Sequence, residues 1–253
     1  MSEPKIVTAA VLVIGNEILS GRTKDANLNY IATELSAIGV RLLEARVVAD
    51  VPAAIVKAVN ELRAAYDYVF TTGGIGPTHD DITADCVAKA FGVTIDVDPR
   101  ARKLMEERFA ARGVEMNEAR LRMARIPAGA ELVENKQSGA PGFWIGNVIV
   151  MAGVPSIMQA MLDAAAPKLQ TGVKMISETI KGDVREGDIG TELGEIAKQH
   201  PNVTIGSYPY FDDKTGPNTN LVIRSRDSGH LAVAKADVEA MLVRVRAALK
   251  VNV

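Results

Sequence analysis

Short apolar runs alternate with amphipathic helical patterns through the first half of this sequence, and this alternation restricts the chain to few folds. Apolar runs of strand length are followed by segments in which apolar residues recur every three or four positions. Val7–Ile14 predicts a buried strand, and Val40–Val48 and residues 68–71 predict a second and a third strand. Strands that alternate with helices in this way form a parallel sheet with right-handed crossovers and helices on both faces.

The second half adds a hairpin and then a different order of elements. Two apolar runs flank Gly146-Asn147, which predicts a tight turn between two strands. From residue 173 the predicted order is strand, helix, strand, a loop at 211–219, strand, helix. We therefore expect an α/β fold, a three-layer α/β/α sandwich with a mostly parallel sheet, over residues 1–170. A small α+β subdomain is expected over residues 171–253.

The balance of charge excludes several classes of partner. The 253 residues carry 29 Lys and Arg against 31 Asp and Glu, a net charge of −2. The chain therefore has no overall field that would attract a nucleic acid or an anionic membrane. Residues 99–125 form a helical pattern that concentrates arginine, but glutamates are interleaved there, which is typical of a solvated helix surface.

The location of the protein is predicted from what the sequence lacks. No apolar run reaches the ~18–20 residues of a membrane span, and the first residues do not form a signal peptide. The single cysteine, Cys86, excludes an intrachain disulfide, and its place in a predicted helix favours a buried packing role. We expect a cytoplasmic protein.

The strongest candidate site is a glycine-rich segment, residues 72–83, between the third predicted strand and a helix. Its sequence is TGGIGPTHDDIT. In open parallel sheets ligands bind beyond the carboxyl ends of the strands, and glycines let the backbone approach them closely. Backbone N–H groups and the positive end of the next helix suit a phosphate. The candidate ligand-binding residues here are Thr72, Gly73, Gly74, Gly76, Pro77 and Thr78.

The pair Asp80-Asp81 is unexpected beside a phosphate site, because a carboxylate repels a phosphate unless a cation lies between them. Mg²⁺ commonly uses one or two carboxylates together with phosphate oxygens. Asp81 and Asp80 are therefore candidate catalytic residues at a divalent-metal site. The alternative is that one of the two caps the next helix. His79 is expected to be a polar loop residue.

Polar residues also follow the first two predicted strands, at the same edge of the sheet. Glu17 comes directly after a buried strand, where its charge is costly without a partner. Asp25 and Asn27 precede a helix, and Asp50 follows the second strand. A turn and ordinary helix caps are the alternative explanation for these residues.

Two further loops contain residues suited to an anion. Ser138 and Gly139 lie in a Gly/Ser loop that also contains Lys136, and Gly153 and Pro155 follow a strand and open a helix. Each loop could be an ordinary turn. Four polar loops at strand ends nevertheless favour a common ligand cleft.

Residues 72–83 closely resemble the motif of the molybdopterin-binding superfamily that includes MoaB, Mog and the gephyrin G domain. Segments 15–21, 138–143 and 153–156, with Asp25 and Asn27, are similar to the CinA amino-terminal type. This type is also similar to the molybdopterin-binding-like domain of eukaryotic FAD synthases. The resemblance covers about residues 5–169 and continues more loosely through the tail.

This resemblance implies a phosphate-bearing nucleotide or molybdopterin as ligand and Mg²⁺ or another divalent metal as cofactor. In Mog-type members the aspartates that match Asp81 and Asp50 serve metal-dependent adenylyl transfer, so both are candidate metal ligands. Ile75 replaces the usual Thr and Asp80 replaces a basic residue, and both departures favour the CinA type. The chain ends before the nicotinamide mononucleotide deamidase domain of full-length CinA, so that activity is expected to be absent.

The CinA-type resemblance implies a metal-dependent nucleotide pyrophosphatase that acts on a substrate such as ADP-ribose or FAD. In this hypothesis the glycine amides hold one phosphate, Asp81 with Asp80 or Asp50 holds the metal, and Glu17 orients water or binds ribose. Asn27 is a candidate ligand-binding residue. The alternatives are a molybdopterin adenylyltransferase and a non-catalytic binding or scaffold protein. Members of the family commonly form dimers or trimers, so a homo-oligomer is expected.

Overall fold

The computed structural model describes residues 6–213 and 216–251. The chain divides into two compact units, with the boundary between Gly172 and Val173. The strands of the first unit are β1 (Val7–Ile14), β2 (Val40–Val48), β3 (Tyr68–Thr72), β4 (Ile95–Val97), β5 (Arg125–Pro127), β6 (Glu131–Val133), β7 (Gly142–Ile145) and β8 (Val148–Met151). Its helices are α1 (Asn16–Leu19), α2 (Asn27–Ala37), α3 (Pro52–Ala65), α4 (Thr83–Phe91), α5 (Pro99–Ala110), α6 (Glu118–Leu121) and α7 (Pro155–Ala165).

Six strands form the central sheet of the first unit, in the order β2-β1-β3-β8-β7-β6. β2, β1, β3 and β8 are parallel to one another, whereas β7 is antiparallel to both of its neighbours. β1 is buried along nearly its whole length, which explains why its sequence is a continuous apolar run and not an alternating one. β4 and β5 form a separate antiparallel pair.

The two faces of the sheet are covered by different helices. Leu12 and Ile14 of β1 pack in a core with α3, α4 and α5, while Val11 and Val13 pack in a second core with α2 and α7. Burial of each such side chain contributes roughly 2 kcal/mol. The three layers confirm the predicted α/β/α fold with a mostly parallel sheet.

The predicted helical pattern over residues 99–125 is only partly right. α5 ends at Ala110, and Gly113 then adopts a φ of +64°, which a helix does not allow. Asn117 begins α6 by accepting a hydrogen bond from the Arg120 N–H at 2.9 Å. A 3₁₀ turn and β5 follow, so the last arginines of this segment leave the helical surface.

The second unit is a small α+β subdomain, as predicted. Its elements are β9 (Ile176–Lys181), α8 (Glu186–Gln199), β10 (Thr204–Asp212), β11 (Gly216–Ser225) and α9 (Ser228–Val251). The strands form an antiparallel sheet in the order β10-β11-β9. Ile189 of α8, Leu221 of β11 and Met241 of α9 lie in its core.

The predicted loop at 211–219 is wrong, because β10 and β11 remain paired through most of it. Phe211 pairs with Pro217, and Asp212 pairs with Gly216. The hydroxyls of Ser207 and Thr219 lie 3.0 Å apart, so polar side chains add a cross-strand hydrogen bond where the sequence suggested a loop. In the described part of the chain, no helix combines the length and the apolar character that crossing a membrane requires.

Candidate functional site

The register of the central sheet brings five loops to one edge. The pairs at the strand ends are Ile14 with Val48, Val13 with Thr72, and Thr72 with Met151. β1, β2, β3 and β8 therefore end at the same level. β7 runs the opposite way and begins there, so the loop of residues 134–141 also lies at this edge. Ligands of open parallel sheets bind at this edge.

Gly73 brings the ends of three strands into backbone contact. Its φ is +100°, and a Cβ at this position would lie 2.1 Å from the carbonyl oxygen of Ile14. A Cβ at Gly153 would lie 3.3 Å from the Cα of Gly73. The loop after β3 is thus wedged between the ends of β1 and β8, which only residues without a side chain allow.

Thr83 ties the glycine-rich loop to the start of α4. Its hydroxyl donates to the Gly73 carbonyl oxygen and its N–H to the Gly74 carbonyl oxygen, both at 2.9 Å. By contrast, the N–H groups of Gly74, Ile75 and Gly76 donate to no other residue that the structure describes. Three neighbouring backbone donors without acceptors are suited to an anion.

Asp81 folds back onto the same loop. Its Oδ2 accepts from the Thr78 N–H at 2.8 Å and from the Thr78 hydroxyl. A Cβ at Gly76 would lie 2.6 Å from this oxygen, so the glycine leaves room for the carboxylate. Asp81 is half-buried, lines a cavity with Gly74 and Gly76, and forms no ion pair with another described residue.

The tip of the loop does not line that cavity. Pro77, Thr78, His79 and Asp80 are exposed, and Asp80 is not among the residues that line the cavity. Neither aspartate caps α4, because its N-cap is Ile82, so that alternative is wrong.

Glu17 and Asp50 follow β1 and β2. The Asp50 Oδ2 accepts from the Asn16 N–H in the first turn of α1 at 2.8 Å, and Asp50 does not cap the helix that follows it, because the N-cap of α3 is Val51. Glu17 is exposed in α1, so its charge incurs no burial cost there. Because β2 and β3 lie on opposite sides of β1, about 10 Å separates the strand ends that precede Asp50 and Gly73.

Asn27 and Thr72 have buried polar atoms without partners in the described chain. Asn27, the first residue of α2, is 4% exposed and donates from Nδ2 to the Gly153 carbonyl oxygen at 2.8 Å. Its Oδ1 accepts no hydrogen bond, and the Thr72 hydroxyl also makes none. Such atoms are rare in proteins, and a water or a ligand group at the sheet edge would satisfy them. Pro155 is the exposed first residue of α7.

The loop before β7 is organised by Asn135, which was not among the predicted site residues. Its Oδ1 accepts from the N–H groups of Gln137 and Ser138, and its Nδ2 donates to the Ser138 hydroxyl and the Ala140 carbonyl oxygen. The Ser138 hydroxyl is therefore already engaged. Gly139 has a φ of +94° and packs against Arg108 of α5. An Asn that accepts from N–H groups two and three residues later is a recognisable turn pattern.

Two arginines at the cavity were also missed, because their segment has the charge pattern of a solvated helix. Arg122 and Arg125 line the same cavity as Gly74, Gly76 and Asp81, and Pro141 and Phe143 complete its wall. Free N–H groups and a guanidinium at one cavity are suited to a phosphate group.

A cysteine nucleophile and a metal site built from several side chains have weaker support at this edge. Cys86 is buried in α4, and burial raises the pKa of its thiol to about 11, so it is a packing residue as predicted. No three His, Cys, Asp or Glu side chains gather as a metal site within residues 6–213 and 216–251. Asp81 beside the free N–H groups nevertheless fits an ion such as Mg²⁺, which takes few protein carboxylates and completes its shell with phosphate oxygens and water.

The chain matches two protein-family models. Residues 10–171 match the family described as a probable molybdopterin binding domain. Residues 174–247 match the family described as the FAD synthase middle domain. The C-terminal part of the chain is therefore similar to this middle domain and not to a deamidase.

Individual proteins agree with these matches. A protein of Pyrobaculum calidifontis is 35% identical over 214 residues, which cover 80% of each chain. A probable FAD synthase of Caenorhabditis briggsae is 30% identical over 260 residues, which cover 93% of this chain and 50% of that protein. The crystal structure of CinA from Thermoplasma acidophilum, a protein with unknown function, aligns with a TM-score of 0.59 at 33% identity. That alignment covers 64% of this chain and 98% of the solved one.

Proposed function

Because this chain belongs to the family of probable molybdopterin binding domains and is CinA-like, we propose that it is a divalent-metal-dependent nucleotide pyrophosphatase. Its ligand carries phosphate, and the substrate is a dinucleotide-like diphosphate of the ADP-ribose or FAD type. The similarity to FAD synthases supports this substrate class. The chain spans about half the length of the FAD synthase relative, so the proposal does not include the activity of that whole protein.

One observation carries this proposal. The N–H groups of Gly74, Ile75 and Gly76 have no acceptor in the described chain, and they lie beside the Asp81 carboxylate, which has no ion-pair partner there. Free backbone donors favour a phosphate group. An adjacent unpaired carboxylate would repel that phosphate unless a cation joined the two. The combination is therefore suited to a phosphate that arrives with a divalent ion.

Each residue of the loop has a part in this reaction. The Gly74–Gly76 amides bind and orient one phosphate, and Asp81 holds the ion against it. A bound Mg²⁺ supplies positive charge to the phosphoryl oxygens. Glu17, exposed at the end of β1, orients the attacking water, and Asp50 is the second candidate carboxylate. Water attacks one phosphorus, the P–O bond to the bridging oxygen breaks, and two phosphate monoesters and a proton are released.

The test compares three proteins against ADP-ribose and FAD, with Mg²⁺, with Mn²⁺ and with EDTA. We expect wild-type protein to hydrolyse one of the two substrates only when metal is present. Asp81→Asn removes the charge but keeps an oxygen that can accept from Thr78, so the loop stays folded while activity falls by about 100-fold. Asp96→Asn, an exposed aspartate of β4, is the matched control and leaves activity unchanged.

Other outcomes separate the remaining hypotheses. Hydrolysis that is unchanged in Asp81→Asn would exclude this mechanism. An adenylylated pterin formed from Mg-ATP and molybdopterin would identify an adenylyltransferase instead. Nucleotide binding without any metal-dependent turnover would identify a binding or scaffold protein. The expected homo-oligomer is tested separately, by light scattering of the purified protein.

A further inference from the structure

Two arginines line the cavity beside the glycine-rich loop, and they differ in how they are bound. Arg125 forms a bidentate pair with Asp85 of α4, with Nη2 to Oδ1 at 2.6 Å and Nη1 to Oδ2 at 2.7 Å. This pair neutralises the Arg125 charge and fixes its position. Arg122 is exposed and forms no hydrogen bond or ion pair through its side chain with any described residue.

Three other arginines of the same segment are engaged within the protein. Arg102 pairs with Glu106 at 2.7 Å, Arg112 donates to the Gln137 carbonyl oxygen at 2.7 Å, and Arg120 donates to the Glu115 carbonyl oxygen at 2.6 Å. Of the two carboxylates that line the cavity, Asp85 pairs with Arg125 and Asp81 accepts from Thr78, and neither is bound to Arg122. The guanidinium of Arg122 is thus left available at the mouth of the cavity.

We propose that Arg122 binds the second phosphate of a diphosphate ligand whose first phosphate lies on the Gly74–Gly76 amides. This inference rests on the proposed function, because it requires a phosphate on the loop. Among the residues that line the cavity, Arg125 and Asp85 neutralise each other, which leaves Arg122 as the arginine there without an ion-pair partner in the described chain. A planar guanidinium binds a phosphate through two parallel hydrogen bonds, which a lysine cannot reproduce.

The consequence is a preference for diphosphates over monophosphates. A monophosphate fills the amide site alone and gains little from Arg122. A diphosphate reaches across the cavity and gains a charge-assisted contact. Arg122 is therefore a specificity-determining residue of the proposed site, and its removal weakens one class of ligand more than the other.

The test measures binding of ADP and AMP, each with Mg²⁺, by isothermal titration calorimetry on the full chain. For Arg122→Gln we expect ADP binding to weaken by about tenfold or more and AMP binding by less than about twofold. Arg122→Lys keeps the positive charge but not the planar guanidinium with its two parallel donors. Its affinity for ADP is therefore expected to lie between those of wild type and Arg122→Gln. Arg102→Gln, on the exposed face of α5, is the matched control and binds both nucleotides as wild type does.

The outcomes distinguish this inference from the proposed function. Wild-type protein that binds neither ADP nor AMP overturns both. Wild-type protein that binds ADP, together with Arg122→Gln that binds it equally well, overturns the role of Arg122 and leaves the proposed function standing. Equal weakening of ADP and AMP by Arg122→Gln overturns the assignment to the second phosphate. Thermal unfolding of each variant checks that the fold is intact.

Discussion

Alanine in place of Gly73 would destabilise the protein for two separate physical reasons. Its φ of +100° is unfavourable for any residue with a side chain, and the added Cβ would lie 2.1 Å from the Ile14 carbonyl oxygen. Gly92, at the C-cap of α4, has a φ of +67° but open space around it. A comparison of alanine variants at these two glycines separates the destabilisation due to the backbone conformation from the destabilisation due to the contact with Ile14.

We expect Gly92→Ala to lower the free energy of unfolding by about 1–2 kcal/mol, the cost of a left-handed backbone. Gly73→Ala should lower it by about 3–5 kcal/mol, because the end of β1 must also shift. Urea unfolding followed by circular dichroism measures both. An equal decrease in the free energy of unfolding for the two variants would show that the contact with Ile14 does not contribute to the destabilisation.

The glycine-rich loop can be singled out from the sequence alone, whereas the arginines that line the same cavity cannot. The loop is encoded locally, since consecutive glycines, a polar turn and a following helix can be recognised without knowledge of the fold. Arg122 has no such local pattern, because an arginine among glutamates has the same sequence context whether it faces solvent or a cavity. Its place follows from the break in the helical segment after Ala110, which packing decides.

Among the secondary elements, the turn between β7 and β8 ends a helix as well as joining two strands. The side-chain Nδ2 of Asn147 donates to the carbonyl oxygens of Arg63 and Tyr66, both at 2.9 Å, where α3 ends. Carbonyl groups at a helix end lack partners within the helix. Asn147 therefore links the turn to α3.

We expect Asn147→Ala to lower the free energy of unfolding by about 1–2 kcal/mol through the loss of two hydrogen bonds. Asn147→Asp should cost more, about 2–3 kcal/mol, because a carboxylate then faces two carbonyl oxygens. Asn29→Asp makes the same chemical change at an exposed site in the first turn of α2, where it is neutral or slightly stabilising. Denaturant unfolding tests the series, and a loss for Asn147→Asp no larger than for Asn29→Asp would contradict it.

Elements of the buried sheet were predicted almost to the residue, whereas short elements were not. β1 and β2 have the predicted bounds: β1 is covered on both faces and is a continuous apolar run, whereas β2 is an edge strand in which buried and exposed residues alternate. β4, β5 and β6 have three residues each, which is too few for any periodic pattern to be visible. The tip of the β10–β11 hairpin contains proline, glycine and asparagine, so its local sequence favours a loop and only cross-strand pairing makes it a strand.

At the scale of the whole molecule, the boundary between the two compact units coincides with the boundary between the two family matches. The two compact units are separated between Gly172 and Val173, and the two family matches cover residues 10–171 and 174–247. Residues 170–175, between these units, have no regular secondary structure, and Lys174 among them is exposed. Exposed backbone without regular structure is a preferred site of proteolysis.

We therefore expect limited digestion of the native chain with trypsin to cut after Lys174 early, and to give products of about two thirds and one third of the mass. Mass spectrometry identifies the cut. Lys174→Ala is the control, and it should delay the appearance of both products. Early cleavage after Lys181, at the end of β9, in place of this segment would contradict the division.

The same digestion tests whether the candidate site is complete within the first unit. The loop donors, Asp81, Arg122 and Arg125 all precede residue 172, so the purified larger product should bind ADP with Mg²⁺ within about threefold of the intact chain. Its circular dichroism spectrum shows whether it has stayed folded. A folded product that has lost ADP binding would mean that the FAD synthase-like unit supplies part of the site. That result would require ligand contacts beyond the edge of the central sheet.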